Sequence, residues 1–230
     1  MDEEQQAHMD GLTVEGCTRC PALVDSRSRI VDGVGPADAD VLFVGEAPGA
    51  REDSQGEPFV GRSGSVLDEQ LRIVGLDRES VRITNCVRCR PPDNRDPSKE
   101  ELGNCRGYLE AEIERVDPEV IVTLGKVPGE HLLGRSIAVT KETGTVEEVR
   151  LGTIDPEEEG DGGTGTDEAD AGTGGDGRLP QRVLICLHPA ATLYDRSQES
   201  AFAETIATAA DLAGVSPSDG ERGQSRLGEY

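Results

Sequence analysis

Long apolar runs are missing from this sequence. Its longest stretches, such as Val41-Leu42-Phe43-Val44, are short, whereas a membrane-spanning helix needs about 20 apolar residues. No membrane is expected as a partner. The opening residues Met1-Asp2-Glu3-Glu4 are acidic and lack the apolar core of a signal peptide, so a cytoplasmic protein is expected. Six cysteines in a reducing compartment favour metal or cluster binding over disulfides. Tryptophan is absent, aromatics are 3% of the chain, and lysine occurs only at Lys99, Lys126 and Lys141. What is abundant is acid: 46 Asp and Glu against 23 Lys and Arg, a formal charge of −23. An acidic excess with so little lysine fits a protein from a salt-loving organism, where concentrated salt screens self-repulsion. Alone, that charge speaks against nucleic acid, whose binders commonly present a basic face. Motifs pointing to nucleic acid must outweigh it.

The 230 residues suit one domain with some irregular sequence. The pattern predicts strands over 40–44, 81–84, 119–124, 145–151 and 182–187. Helices are expected over 65–74, 98–116 and 199–213, the second opened by Ser98 with Glu101 three residues on, a capping box. Strands alternating with helices predict a layered α/β domain with a parallel sheet. Between Asp155 and Gly177 stand nine acids, eight glycines and no base, a composition that cannot bury enough surface to order itself. The expected organisation is a frayed start over 1–15, one domain over 16–214 interrupted by a disordered acidic insertion at 155–178, and a flexible tail over 215–230.

Cys17 and Cys20 form one CxxC pair, Cys86 and Cys89 another, and Cys105 follows sixteen residues after Cys89. The pairs lie 66 residues apart, too far for a zinc-ribbon knuckle. Either the two pairs, or Cys17, Cys20, Cys89 and Cys105, make a four-thiolate site suited to zinc or a [4Fe–4S] cluster. Cys186 lies in an apolar strand and reads as a buried thiol.

In an open α/β sheet, ligands bind beyond the carboxyl ends of the strands. Three loops fall there: GEAPGAREDSQGEPFVGRSG from Gly45, the Thr84-Asn85 segment running into CVRCRPPDNRDP, and LHPAATL around His188. No Walker A ending and no GxGxxG pattern is present. Together these strings resemble the family 4 uracil-DNA glycosylases, the iron–sulfur type, over roughly residues 17–150 and 180–213. The resemblance implies a three-layer α/β/α fold around a four-stranded parallel sheet. It also implies a [4Fe–4S] cluster on Cys17, Cys20, Cys89 and Cys105, with Cys86 and Cys186 as spectators.

Removing uracil from DNA requires an extruded base, a stacking face, an edge reader and donors for the leaving anion. The resemblance gives Phe59 the stacking role. The Asn85 amide can donate to O4 and accept from N3–H, a pattern cytosine does not offer. His188 fits a donor to O2 as a neutral imidazole. Gly45, Glu46 and Ala47 would line the pocket. Glu46 is the first candidate to orient water or steady the cationic sugar, because Ala47 stands where the best-known uracil glycosylases carry an Asp. Glu52 and Asp53 are alternative carboxylates, with Glu52 a candidate to crowd thymine's methyl. Arg62, Ser63 and Gly64 open a helix suited to a DNA phosphate. Pro189, Ala190 and Leu193 would enter the minor groove, with Leu193 as a wedge. Arg88, Arg90, Arg95 and Lys126 are further phosphate candidates. A monomer acting on uracil-containing DNA is expected, with a sliding clamp as a further candidate partner. The competing readings are a superfamily relative with another deaminated base, and a non-catalytic iron–sulfur or zinc nucleic-acid binding module. The covalently trapping relatives need an inserted histidine loop, and residues 62–68 contain no His.

Overall fold

The computed structural model describes residues 8, 9, 12–150 and 180–215. Most of the expected frayed start, the acidic insertion and nearly all of the tail lie outside the described residues. In chain order the main elements begin with α1 (Pro21–Ser26), β1 (Val41–Gly45), α2 (Ala50–Gln55), α3 (Arg62–Ile73) and β2 (Arg82–Asn85). The middle of the chain forms α4 (Lys99–Val116), β3 (Val120–Leu124), α5 (Lys126–Leu133), α6 (Val139–Glu142) and β4 (Val146–Val149). Then come β5 (Gln181–Cys186), α7 (Pro189–Tyr194) and α8 (Glu199–Leu212).

Among the described residues the main sheet runs β2-β1-β3-β5-β4. The first four of these strands are mutually parallel, and β4 pairs antiparallel with β5. The parallel four-stranded core is the one expected, and β4 adds an edge. All residues of β1, β2 and β3 are buried, as strands covered on both faces must be. Their side chains alternate between two cores. Val41, Phe43, Ile83, Val122 and Leu184 pack with Leu67 and Leu71 of α3 and Phe202 and Ile206 of α8. Leu42, Val44, Ile121 and Val183 pack with Leu109 and Ile113 of α4 and Leu132 of α5. This is the three-layer α/β/α arrangement. Among the described residues no helix is long and apolar enough to cross a membrane.

The α4 capping box forms as the spelling predicts. Ser98 Oγ accepts from the Glu101 N–H at 3.2 Å, and Glu101 accepts from the Ser98 N–H at 2.7 Å. Behind the sheet lies a buried charge network. Glu112 accepts from Arg82 at 2.8 Å and from Arg88 at 2.6 Å, and Arg88 also reaches Asp32 at 2.7 Å. Two cations thus meet two carboxylates. Arg88, expected at a phosphate, is 2% exposed and structural instead.

Candidate active site

The register of the parallel strands sets Gly45 beside Asn85 at the ends of β1 and β2. His188 stands two residues beyond the end of β5. Because β2 and β3 flank β1 on opposite sides, the chain leaves the sheet in opposite directions there, which opens a crevice at the strand ends. A cavity of about 200 Å³ occupies it, lined by Glu46, Ala47, Gly49, Glu52, Phe59, Ser63, Asn85 and His188. Glu46, Ala47, Phe59, Asn85 and His188, five of the expected base-pocket residues, converge there.

Glycine at 45 is sterically required, since a Cβ would run into the Asn85 amide oxygen and the Phe59 ring. Phe59 itself holds a left-handed backbone, φ 54°, a conformation that costs a bulky residue about 1–3 kcal/mol and persists only where its surroundings impose it. They do. Arg78 donates to the Phe59 and Pro58 carbonyls and pairs with Asp68 at 2.7 Å. Gly64 has no Cβ to strike the Phe59 carbonyl. The Phe59 ring lies 5.8 Å from the His188 ring, tilted by 32°. Glu52 accepts from the Val60 and Gly61 N–H groups, each at 3.1 Å, and so fastens the Phe59 loop to α2. Asp53 is buried and accepts from Ser28 at 2.8 Å. It anchors the segment after α1 and is not among the carboxylates of the cavity.

His188 caps α7, its Nδ1 accepting from the Ala190 N–H at 3.1 Å. The neutral ring therefore carries its proton on Nε2. Burial holds the His188 pKa below the usual histidine range, against an opposing pull from Glu52. Glu46 moves the other way. Burial, then the nearby Asp96 carboxylate, push it up to about 7. No motif in the sequence ties Asp96 to Glu46, because only the fold brings the loop after Pro91 over Glu46.

Of the DNA-surface candidates, Arg62 and Leu193 are exposed, while Ser63 and Ala190 are half-buried. Gly64 and Pro189 are buried, Gly64 under the Phe59 carbonyl. The segment expected as a loop after His188 is the helix α7. Arg95 is engaged by Glu101 at 2.6 Å, Arg90 donates to Asn94, and Lys126 lies 3.6 Å from Glu130.

The six cysteines sort into three separate packing groups. Cys186 belongs to the α3–α8 face and Cys86 to the α4–α5 face. Cys17, Cys89 and Cys105 form a third with Val14, Leu23, Val87 and Tyr108, and Cys20 packs against it. Burial first, and then the neighbouring cysteines, push Cys105 up to about 11. Burial also raises the Cys20 and Cys89 thiols, opposed by hydrogen bonds from Asn104 and Arg27. The Arg27 guanidinium donates to Cys89 Sγ at 2.8 Å, and Asn104 donates to Cys20 Sγ at 3.4 Å. The Tyr108 hydroxyl is buried with no oxygen or nitrogen partner, and Cys17 is beside it. Thiolates at this depth need cationic charge among them, which a metal centre supplies. Among the described residues no three Cys, His, Asp or Glu side chains close round one ion.

The profile of the Uracil DNA glycosylase superfamily matches residues 33–211, which contain all of the cavity. The chain belongs to the uracil-DNA glycosylase superfamily. The type-4 uracil-DNA glycosylase of Thermotoga maritima is 46% identical over 132 residues, 57% of this chain and 68% of that protein. The type-4 enzyme of Archaeoglobus fulgidus is also 46% identical, over 52% of this chain and 59% of its own length. The type-5 uracil-DNA glycosylase of Pyrobaculum aerophilum reaches 33%, over 48% of this chain and 62% of its own. Within the superfamily, this glycosylase-like chain therefore stands nearer those type-4 proteins than that type-5 one.

Proposed function

We propose that this protein hydrolyses the N-glycosidic bond of uracil in DNA and leaves an abasic site. The observation that carries the reading is the convergence of Phe59, Asn85, Glu46 and His188 on one cavity at the strand ends. The base must leave the stack to enter such a site. Phe59 offers its ring as a stacking face, and its imposed backbone keeps that face in place. The buried Asn85 amide reads the N3–O4 edge. As the bond breaks, negative charge grows on uracil O2, and the Nε2–H of neutral His188 donates to it. The proton needs no relocation beforehand, which is what preorganised stabilisation requires. Glu46, as carboxylate, orients the water and steadies the cationic sugar.

Cys17, Cys20, Cys89 and Cys105 would hold a [4Fe–4S] cluster, with Arg27, Asn104 and Tyr108 as donors around its sulfurs. When bound, it supplies a cross-link between the N-terminal segment, the loop after β2, and α4. Zinc is the second reading of the same thiols.

Uracil release from a labelled single-stranded oligonucleotide is the test. Wild type should release it, and His188→Ala should lower the single-turnover rate by about 10²–10³-fold. The purified protein should show the broad visible absorbance of an iron–sulfur chromophore, and Cys105→Ser should lose it. A colourless protein that leaves uracil in place would overturn the proposal and put the nucleic-acid binding module first.

A further inference from the structure

A second cleft, of about 340 Å³, opens beside the base cavity and shares Glu52 and Ser63 with it. Its other walls include Arg51, Arg62, Leu193 and Tyr194. Two features of that lining matter together, an exposed aromatic and a pair of cations. Tyr194 is 89% exposed, in a protein with three tyrosines, three phenylalanines and no tryptophan. Leu193 beside it is 39% exposed. Arg78, Arg82, Arg88, Arg95, Arg106, Arg135 and Arg182 are each held in an ion pair. Arg51 and Arg62 are exposed and make neither an ion pair nor a side-chain hydrogen bond among the described residues. The carboxylate at the cleft, Glu52, is turned to the Val60 and Gly61 N–H groups. An uncovered aromatic face, two unpaired cations and continuity with a base pocket together specify a polyanion carrying flat, unpaired rings.

Resting on the glycosylase reading, we propose that this cleft is a subsite for the nucleotide adjacent to the extruded uracil. Tyr194 stacks on that neighbour's base, and Arg51 and Arg62 take backbone phosphates. A ring can lie on Tyr194 only when its own stack is open, so the subsite favours single-stranded over duplex substrate. Stacking of one base on an aromatic side chain is worth about 5- to 150-fold in affinity.

The experiment measures Kd by fluorescence anisotropy and uracil release by gel. It uses the full chain and single-stranded oligonucleotides carrying uracil, with an intact nucleotide or an abasic spacer placed 5′ or 3′ of it. Tyr194→Ala should raise Kd and KM about tenfold with kcat within twofold, and Tyr194→Trp should restore both. A spacer at one of the two positions should weaken wild type as much as the mutation does, and add nothing to Tyr194→Ala. Arg51→Gln should lower the slope of log Kd against log salt by about 0.7. Because Tyr194 is exposed, an unchanged melting curve is the folding control. Wild-type affinity in Tyr194→Ala, or spacer and mutation effects that multiply, would overturn the subsite. Tyr194-dependent binding without uracil release would leave the subsite standing and sink the glycosylase reading.

Discussion

Glu46 and His188 share one cavity yet are shifted in directions that both favour the neutral form. Burial is the first cause for each, and Asp96 adds its charge to the effect on Glu46. If Glu46 works as an anion, kcat/KM for uracil release rises as pH increases through about 7 and levels off above. His188, held below its usual range, contributes no falling limb on the alkaline side. Asp96→Asn removes the neighbouring charge, so the limb should move to lower pH. A profile that falls through 7 would show the protonated carboxyl to be the active form. Stability has the opposite sign. A carboxyl whose folded pKa is raised contributes stability that is complete below its unfolded value of 4.5 and is lost as pH rises through about 7. Glu46→Gln should therefore melt higher than wild type at pH 8, while its rate falls by about 10²–10⁴-fold. That Asn85 and His188 line one cavity was legible from their places just beyond strand ends, and Phe59 joined them only through the family resemblance. Asp96 and the anchoring roles of Glu52 and Asp53 were not, since each depends on a contact between loops that only the folded sheet brings together.

Elements with a strong local code matched their spelling. The apolar runs became strands within about a residue of expectation, and Ser98 with Glu101 opened α4. Elements without such a code were missed. α1, α2 and α7 have six residues each, too short for a period to show, and Pro and Gly at their starts read as loop. Arg88 was misread for a related reason. In the CVRC string it resembles a surface cation, and only α4, by delivering Glu112 behind the sheet, makes it an interior one. Removing one partner from a buried network strands the remaining charges, whereas removing a helix cap exposes one backbone group. Glu112→Ala should accordingly cost about 3–5 kcal/mol, and Ser98→Ala about 1 kcal/mol. Urea midpoints measured on both variants decide the matter. Equal losses would mean that water replaces the network, and that Arg82 and Arg88 do not depend on Glu112.

For the whole molecule, alternating strands and helices led directly to the layered parallel core. The antiparallel direction of β4 was not readable, because its alternating exposed and half-buried residues carry no mark of direction. The charge of −23 was plain in the composition, but its consequence depends on how the described cations are used. Seven of the described arginines are held in ion pairs, whereas Arg51 and Arg62 face the cleft beside the base cavity. Salt should therefore act on folding and on DNA binding in opposite directions. Raising salt to 1 M shortens the screening length to about 3 Å, which suppresses repulsion among 46 acids, so Tm should climb steadily with KCl. Two phosphate contacts release few counterions, giving a log Kd against log salt slope of only about 1.4 on a single strand, at roughly 0.7 per contact. A tenfold rise in KCl should then weaken binding by about 25-fold. A protein with many basic contacts, at roughly 0.7 each, would lose several orders of magnitude. Melting curves and anisotropy titrations across the same KCl series test both halves. A Tm indifferent to salt would remove self-repulsion as the reason for salt dependence. A steep binding slope would mean that cations beyond Arg51 and Arg62 hold the DNA.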